Sequence, residues 1–215
     1  MLIHNRMEVS RVNGPGARAV IWVQGCLLAC RNCWNPGTHS FVDGLEMTAD
    51  NLVNWILDLK GIEGVTFSGG EPIHQIVELY NVMSSVKHYR PNLSFGMFTG
   101  YYEAELEAGH YKYMWAPRGP GGVPGGSMSQ RDLAPPDSYW HYIKERRLLD
   151  FVVAGRFVES LTTTALPMVS SANQKLLLLT DRYRESDFKQ QGVEIKIAPG
   201  GKRATITGFP VGVNL

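Results

Sequence analysis

The sequence predicts an α/β fold built on a parallel sheet. Two observations carry that prediction. Short apolar runs of strand length alternate three times with segments whose apolar residues recur at helical spacing, and each run ends in a loop rich in glycine or polar residues before the next helix. Repeated β-loop-α order implies right-handed crossovers between parallel strands. At 215 residues the chain suits a single domain, 1–215, with no internal repeat.

The first apolar run, Ala17 to Gln24, is rich in Val, Ile and Trp and follows the turn chemistry of Asn13-Gly14-Pro15-Gly16. A polar loop holding His39 and Asp43 comes next. Thr48 is placed to cap a helix whose apolar residues are Leu52, Trp55, Ile56 and Leu59, and Gly61 stops it. Gly64 to Ser68 is the second strand. It runs into Gly69-Gly70-Glu71-Pro72, where Pro72 suits the first turn of a helix carrying Ile76, Leu79, Tyr80 and Met83 on one face. Leu93 to Thr99 is the third strand, with a short helix from Glu103.

An insertion rich in Gly and Pro then interrupts the alternation at about residues 110–137, with aromatic residues on both sides. A short helix through Arg147, strands at Leu148 to Ala154 and Lys175 to Thr180, and a last helix at Asp181 to Gln190 follow. Val193 to Ala198 and Ala204 to Gly208 flank Pro199-Gly200-Gly201 and predict a C-terminal β-hairpin at about 193–208.

Lys and Arg number 21 against 20 Asp and Glu, and the signs are mixed along the chain. Such a balance offers no electrostatic footprint for nucleic acid or an anionic membrane. No apolar run reaches the roughly 18 residues that span a bilayer, and the N-terminus lacks a signal-peptide core, so a cytoplasmic location is expected.

All three cysteines lie in one stretch, Cys26, Cys30 and Cys33, spaced CxxxCxxC just after the first predicted strand. An odd, clustered set argues for metal or redox chemistry in a reducing compartment rather than for disulfides. Three thiolates are one short of the four that saturate a four-iron cluster, which leaves one iron open. Three other readings fit the cysteines alone: a CxxC redox pair, a Cys3His zinc interaction module using His39, and a noncatalytic iron–sulfur electron carrier. Gly69-Gly70-Glu71 ends the second strand and so points to the same end of the sheet, where ligand sites of parallel sheets lie. Adjacent glycines let the backbone approach a ligand, and Glu71 can accept hydrogen bonds from an ammonium group.

Together, CxxxCxxC after the first strand and Gly-Gly-Glu after the second resemble the radical S-adenosylmethionine (SAM) superfamily. Gly14-Pro15-Gly16-Ala17-Arg18, Val23-Gln24-Gly25-Cys26, Trp34-Asn35-Pro36, Phe98-Thr99-Gly100-Tyr101, the block from Asp150 to Phe157 and Ser170-Ser171-Ala172-Asn173-Gln174 narrow the likeness to the glycyl-radical-enzyme activases. The resemblance implies a partial, incomplete βα barrel of the TIM-like kind, with the C-terminal hairpin as an extension. It implies a 4Fe–4S cluster on Cys26, Cys30 and Cys33, and SAM on the open iron. Gly69, Gly70 and Glu71 would hold the methionyl amino group, Asn32 and Trp34 would lie on the adenine side, and Thr99 would reach the ribose or carboxylate.

The implied activity is reductive cleavage of SAM to a 5′-deoxyadenosyl radical that abstracts hydrogen from a protein or peptide backbone. A one-electron reductant such as flavodoxin or ferredoxin would supply the electron. The alternative within the superfamily is modification of a ribosomally made precursor peptide, by backbone excision, epimerisation or crosslinking, with a separate peptide-recognition protein. Asn32 stands before the third cysteine, where many radical SAM motifs have an aromatic residue, and Trp34 follows it.

Overall fold

The computed structural model describes residues 1–113, 136–188, 192–197, 200 and 204–209. In chain order the strands and helices are β1 Leu2–Ser10, β2 Arg18–Val23, β3 Leu45–Glu46, α1 Ala49–Asp58, β4 Gly64–Gly69, α2 Ile76–Tyr89, β5 Ser94–Thr99, α3 Glu103–Glu107, α4 Pro136–Glu145, β6 Phe151–Ala154, β7 Lys175–Leu178, β8 Val193–Ile197 and β9 Ala204–Gly208.

Seven strands form one open sheet in the order β3-β1-β2-β4-β5-β6-β7, and β8 and β9 form a separate antiparallel pair. The middle four strands, β2, β4, β5 and β6, are parallel. Their register aligns the C-terminal ends: Val23 lies beside Gly69, and Thr99 beside Ala154. Four loops therefore leave the same edge of the sheet.

Alternation along the strands divides the core into two layers. On one face Ile21, Phe67, Phe95 and Met97 join Leu52 and Ile56 of α1, Leu79 and Val82 of α2 and Trp140 of α4. The Phe67 and Phe95 rings stack with centroids 5.8 Å apart. On the other face Phe151 and Val153 of β6 meet Met168, Val169, Phe188 and Phe209, with Trp34 and Phe98 packed against them. Burying two such faces is what carries a parallel sheet. Arg18 is buried at the start of β2, where its Nε donates to Thr66 Oγ1 at 2.7 Å, Nη1 to Ser94 Oγ at 2.7 Å and Nη2 to the Val65 carbonyl at 2.8 Å.

Several expectations need correction. The sheet is mixed rather than all parallel, because β1 pairs antiparallel with both β2 and β3 on one side and β7 pairs antiparallel with β6 on the other. The strand β1 escapes sequence reading because polar residues outnumber its buried anchors Ile3 and Met7. The helix expected at Asp181 to Gln190 is, through Phe188, a turn with one 3-10 turn at Glu185–Asp187; Asp187 Oδ2 accepts from Arg184 N at 2.8 Å and closes it locally. Residues 189–190 lie outside the described residues, as do 114–135 of the insertion and Pro199 and Gly201 of the hairpin turn. Pro136 and Asp137, assigned to the insertion, open α4 instead.

Thr48 caps α1 as expected, its hydroxyl accepting from Asn51 N at 3.1 Å. Pro72 starts a 3-10 turn, Pro72–Gln75, that leads into α2. No helix among the described residues is long and apolar enough to cross a membrane.

Candidate active site

The aligned strand ends surround a cavity of about 260 Å³. Cys26, Cys30 and Cys33 line it from the loop after β2, Ser68 to Glu71 from the end of β4, Phe98 to Gly100 from the end of β5, and Gly155 and Phe157 from the loop after β6. Trp34, Asn35 and His39 complete the cysteine side. Residues far apart in sequence thus meet because the parallel strands end together.

The cysteine loop folds back on itself through left-handed residues at Ala29 (φ 47°) and Asn32 (φ 53°). All three thiols are free and half-buried. Burial pushes the Cys26 thiol up to about 11, against the lowering effect of the Leu28 and Ala29 amides and with Glu71 adding to the rise. Burial raises Cys33 as well, while the Asn35 amide, 3.4 Å from Cys33 Sγ, opposes it.

Gly69 and Gly70 serve the loop contact first. A Cβ on Gly69, whose φ is +100°, would stand 2.6 Å from the Val23 carbonyl oxygen, and one on Gly70 would strike the carbonyl of Gly25. Without side chains there, Gly70 N donates to Val23 O at 2.8 Å and Glu71 N to Gly25 O at 2.9 Å. The glycine loop and the cysteine loop are therefore one hydrogen-bonded unit.

Glu71 is buried beneath that unit. Its Oε1 accepts from Thr99 Oγ1 at 2.7 Å and Ile73 N at 2.9 Å, and its Oε2 from Gly100 N at 2.8 Å. Burial raises its pKa to about 7; the three donors and the Arg156 charge oppose the rise without cancelling it. The carboxylate joins the ends of β4 and β5. The Thr99 hydroxyl, donating to Glu71 and accepting from Tyr101 N at 3.1 Å, is engaged within the protein.

Of the residues expected at the site, Cys26, Cys30, Cys33, Trp34, Gly69, Gly70, Glu71 and Thr99 are brought together around the cavity. Asn32 is exposed and does not line it. Gln174 does, and it braces the loop after β6: Nε2 donates to Gly155 O at 2.8 Å while Oε1 accepts from the amides of Ser170 and Ser171 at 2.8 and 3.1 Å. Asn173 Nδ2 donates to Arg156 O at 2.8 Å from behind that loop. Asn13, Phe157 and Ile206 to Phe209 also line the cavity and were missed. The turn motif around Gly14 marked Asn13 only as a loop residue, and nothing local marks a hairpin as a cavity wall.

Three free thiols are the ligand set of a four-iron cluster with one open iron. Among the described residues, no three His, Cys, Asp or Glu side chains are grouped to hold one metal ion, as a Cys3His zinc site with His39 requires. A four-iron cluster takes each thiolate on a different iron and is tuned by N–H donation to sulfur, which the Asn35 amide already offers Cys33.

Comparison with known proteins points the same way. A family model described as a 4Fe-4S single cluster domain matches residues 12–116. The anaerobic ribonucleoside-triphosphate reductase-activating protein of Pasteurella multocida is 37% identical over 103 residues, 45% of this chain and 65% of that protein. The chain resembles the glycyl-radical-enzyme activases of the radical SAM superfamily. The namesake reductase-activating protein of Vibrio cholerae is 28% identical over 180 residues, 81% of this chain and 96% of that protein. The pyruvate formate-lyase-activating enzyme of Clostridium pasteurianum is 39% identical over 90 residues, 40% of this chain and 38% of that enzyme. The chain is thus similar to activating enzymes, and the cofactors this activase likeness implies are a 4Fe–4S cluster and SAM.

Proposed function

We propose that this chain is a radical SAM enzyme that takes hydrogen from the backbone of a protein substrate, as an activase of a glycyl-radical enzyme. The observation that carries the reading is the meeting of Cys26, Cys30 and Cys33 with Gly69-Gly70-Glu71 around one cavity at the C-terminal ends of four parallel strands. A bound 4Fe–4S cluster with SAM on its open iron would supply one-electron cleavage of SAM to a 5′-deoxyadenosyl radical.

The protein's own part is to bind and to hold. Cys26, Cys30 and Cys33 would carry the cluster, giving up their thiol protons as ligands do. The Gly69 and Gly70 backbone would face the methionyl amino group, with Glu71 acting beneath them as the brace that fixes the ends of β4 and β5. Trp34, Phe98 and Phe157 give that part of the cavity an apolar lining and so help keep water from the reacting atoms. In this reading residues 1–215 are one radical SAM domain, the open sheet is part of a βα barrel, and the electron comes from a small redox protein such as flavodoxin or ferredoxin.

The reading is tested by mixing the reconstituted protein anaerobically with SAM, a reductant and a candidate glycyl-radical enzyme from the same organism. A glycyl-radical doublet in the electron paramagnetic resonance spectrum is expected. SAM cleavage without that doublet would reject the activase assignment and leave the radical chemistry standing.

A further inference from the structure

The strands β8 and β9 lie beyond the matched residues 12–116, yet Ile206, Thr207, Gly208 and Phe209 line the cavity. The isoleucines of this hairpin are exposed, and Ile206 among them lines the cavity. Pairing sets Ile195 opposite Ile206 and Glu194 opposite Thr207. The polar pair faces the body: Arg11 N donates to Glu194 Oε1 at 2.9 Å, and Asn13 Nδ2 donates to Thr207 Oγ1 at 2.8 Å. Ile195 and Ile197 are left 60% and 69% exposed. A hairpin kept for core burial alone would turn those isoleucines inward. Its polar anchors instead fix where the end of β9 lies.

Phe209 is what those anchors place. It is buried, its amide donates to Gly192 O at 2.9 Å, and its ring meets the Trp34 ring edge-on at 6.3 Å and the Phe98 ring at 6.0 Å. Trp34 directly follows Cys33, and the amide of the next residue, Asn35, is the one aimed at Cys33 Sγ. Asn13 thus holds Thr207, Phe209 follows two residues on, just past the end of β9, and Phe209 meets Trp34, which Phe157 also contacts with centroids 5.5 Å apart, beside the third cysteine.

We propose that the C-terminal hairpin is a wall of the cofactor cavity and that Phe209 is a positioning residue, holding Trp34 and through it the Asn35 amide on the sulfur of Cys33. The purpose of the arrangement rests on the cluster reading given above, but its first consequence shows in cluster-free protein. Brief anaerobic pulses of iodoacetamide, followed by mass spectrometry of the cysteine peptides, give separate alkylation rates for Cys26 and Cys33. In Phe209→Ala, the Cys33 alkylation rate departs from wild type by about two- to tenfold, the population change expected when one aromatic edge contact is lost, while Cys26 keeps its wild-type rate.

Thr207→Val, which removes the anchor and keeps the shape, shifts Cys33 the same way and guards against a misfolded Phe209→Ala. Phe209→Tyr restores the wild-type rate, and Ile197→Ser on the outward face leaves it unchanged. An unchanged Cys33 rate in both Phe209→Ala and Thr207→Val overturns the proposal, as does an equal change at both cysteines. In reconstituted protein, Phe209→Ala also loses iron to a ferrous chelator faster than wild type. If the wild type takes up no cluster at all, the cofactor reading fails, while the alkylation result still decides the role of Phe209.

Discussion

Replacing Glu71 with glutamine asks whether the carboxyl group braces the protein. Three donors converge on it, two at Oε1 and the Gly100 amide at Oε2. A glutamine keeps one acceptor oxygen and sets its NH2 group against the Gly100 N–H. Even the neutral acid can accept there through its hydroxyl oxygen; an amide nitrogen cannot. An unmade buried hydrogen bond of this kind costs about 1–3 kcal/mol. Working against that loss, burial raises the Glu71 pKa from 4.5 to about 7. Between those values the folded chain keeps a proton that the unfolded chain has released, so stability falls as pH rises through the interval. At about 1.4 kcal/mol per pH unit, the fall is on the order of 3 kcal/mol.

Glutamine does not titrate and lacks that fall. In urea unfolding of cluster-free protein followed by circular dichroism, Glu71→Gln should be less stable than wild type by about 1–3 kcal/mol at pH 5. The gap should close or reverse by pH 8. Other titrating groups, His74 among them, cancel in the comparison. A gap that stays constant or widens with pH would refute the assignment of a buried acid with a raised pKa.

Gly70→Ala should weaken the contact between the glycine and cysteine loops, because its Cβ runs into the Gly25 carbonyl; a loss of about 1–3 kcal/mol in unfolding free energy, read as a lower urea midpoint, is expected, and wild-type stability would argue against the joined loops. Arg18→Lys removes the fork that reaches Thr66, Ser94 and Val65 at once, so it should cost about 2–4 kcal/mol despite keeping the charge. Thr48→Ala removes the α1 cap and should cost about 1 kcal/mol, read as a small fall in Tm with no change in cluster uptake.

The parallel half of the sheet was legible because β2 is an almost continuous apolar run and β2, β4 and β5 each end in a glycine or polar loop before the next helical pattern. The flanks were not. In β1 only Ile3 and Met7 are fully buried among its apolar residues, so its period is masked, and the direction of β7 depends on partners far away in sequence. At the site, the cysteine and glycine motifs carried their own spacing and were found. Glu71 was read as a ligand contact, and its further part in joining β4 to β5 through Thr99, Ile73 and Gly100 was not legible, because it is set by where β5 ends. Phe209 left no local mark because its role arises only when the segment after β9 returns to Trp34.

The central claim is that three thiolates and the glycine loop serve SAM cleavage, and anaerobic reconstitution followed by assay for 5′-deoxyadenosine tests it most directly. Wild-type protein with SAM and dithionite should turn brown and form 5′-deoxyadenosine, while Cys30→Ala forms none. A wild-type protein that takes up zinc in place of iron, or that forms no more product than Cys30→Ala, would contradict it.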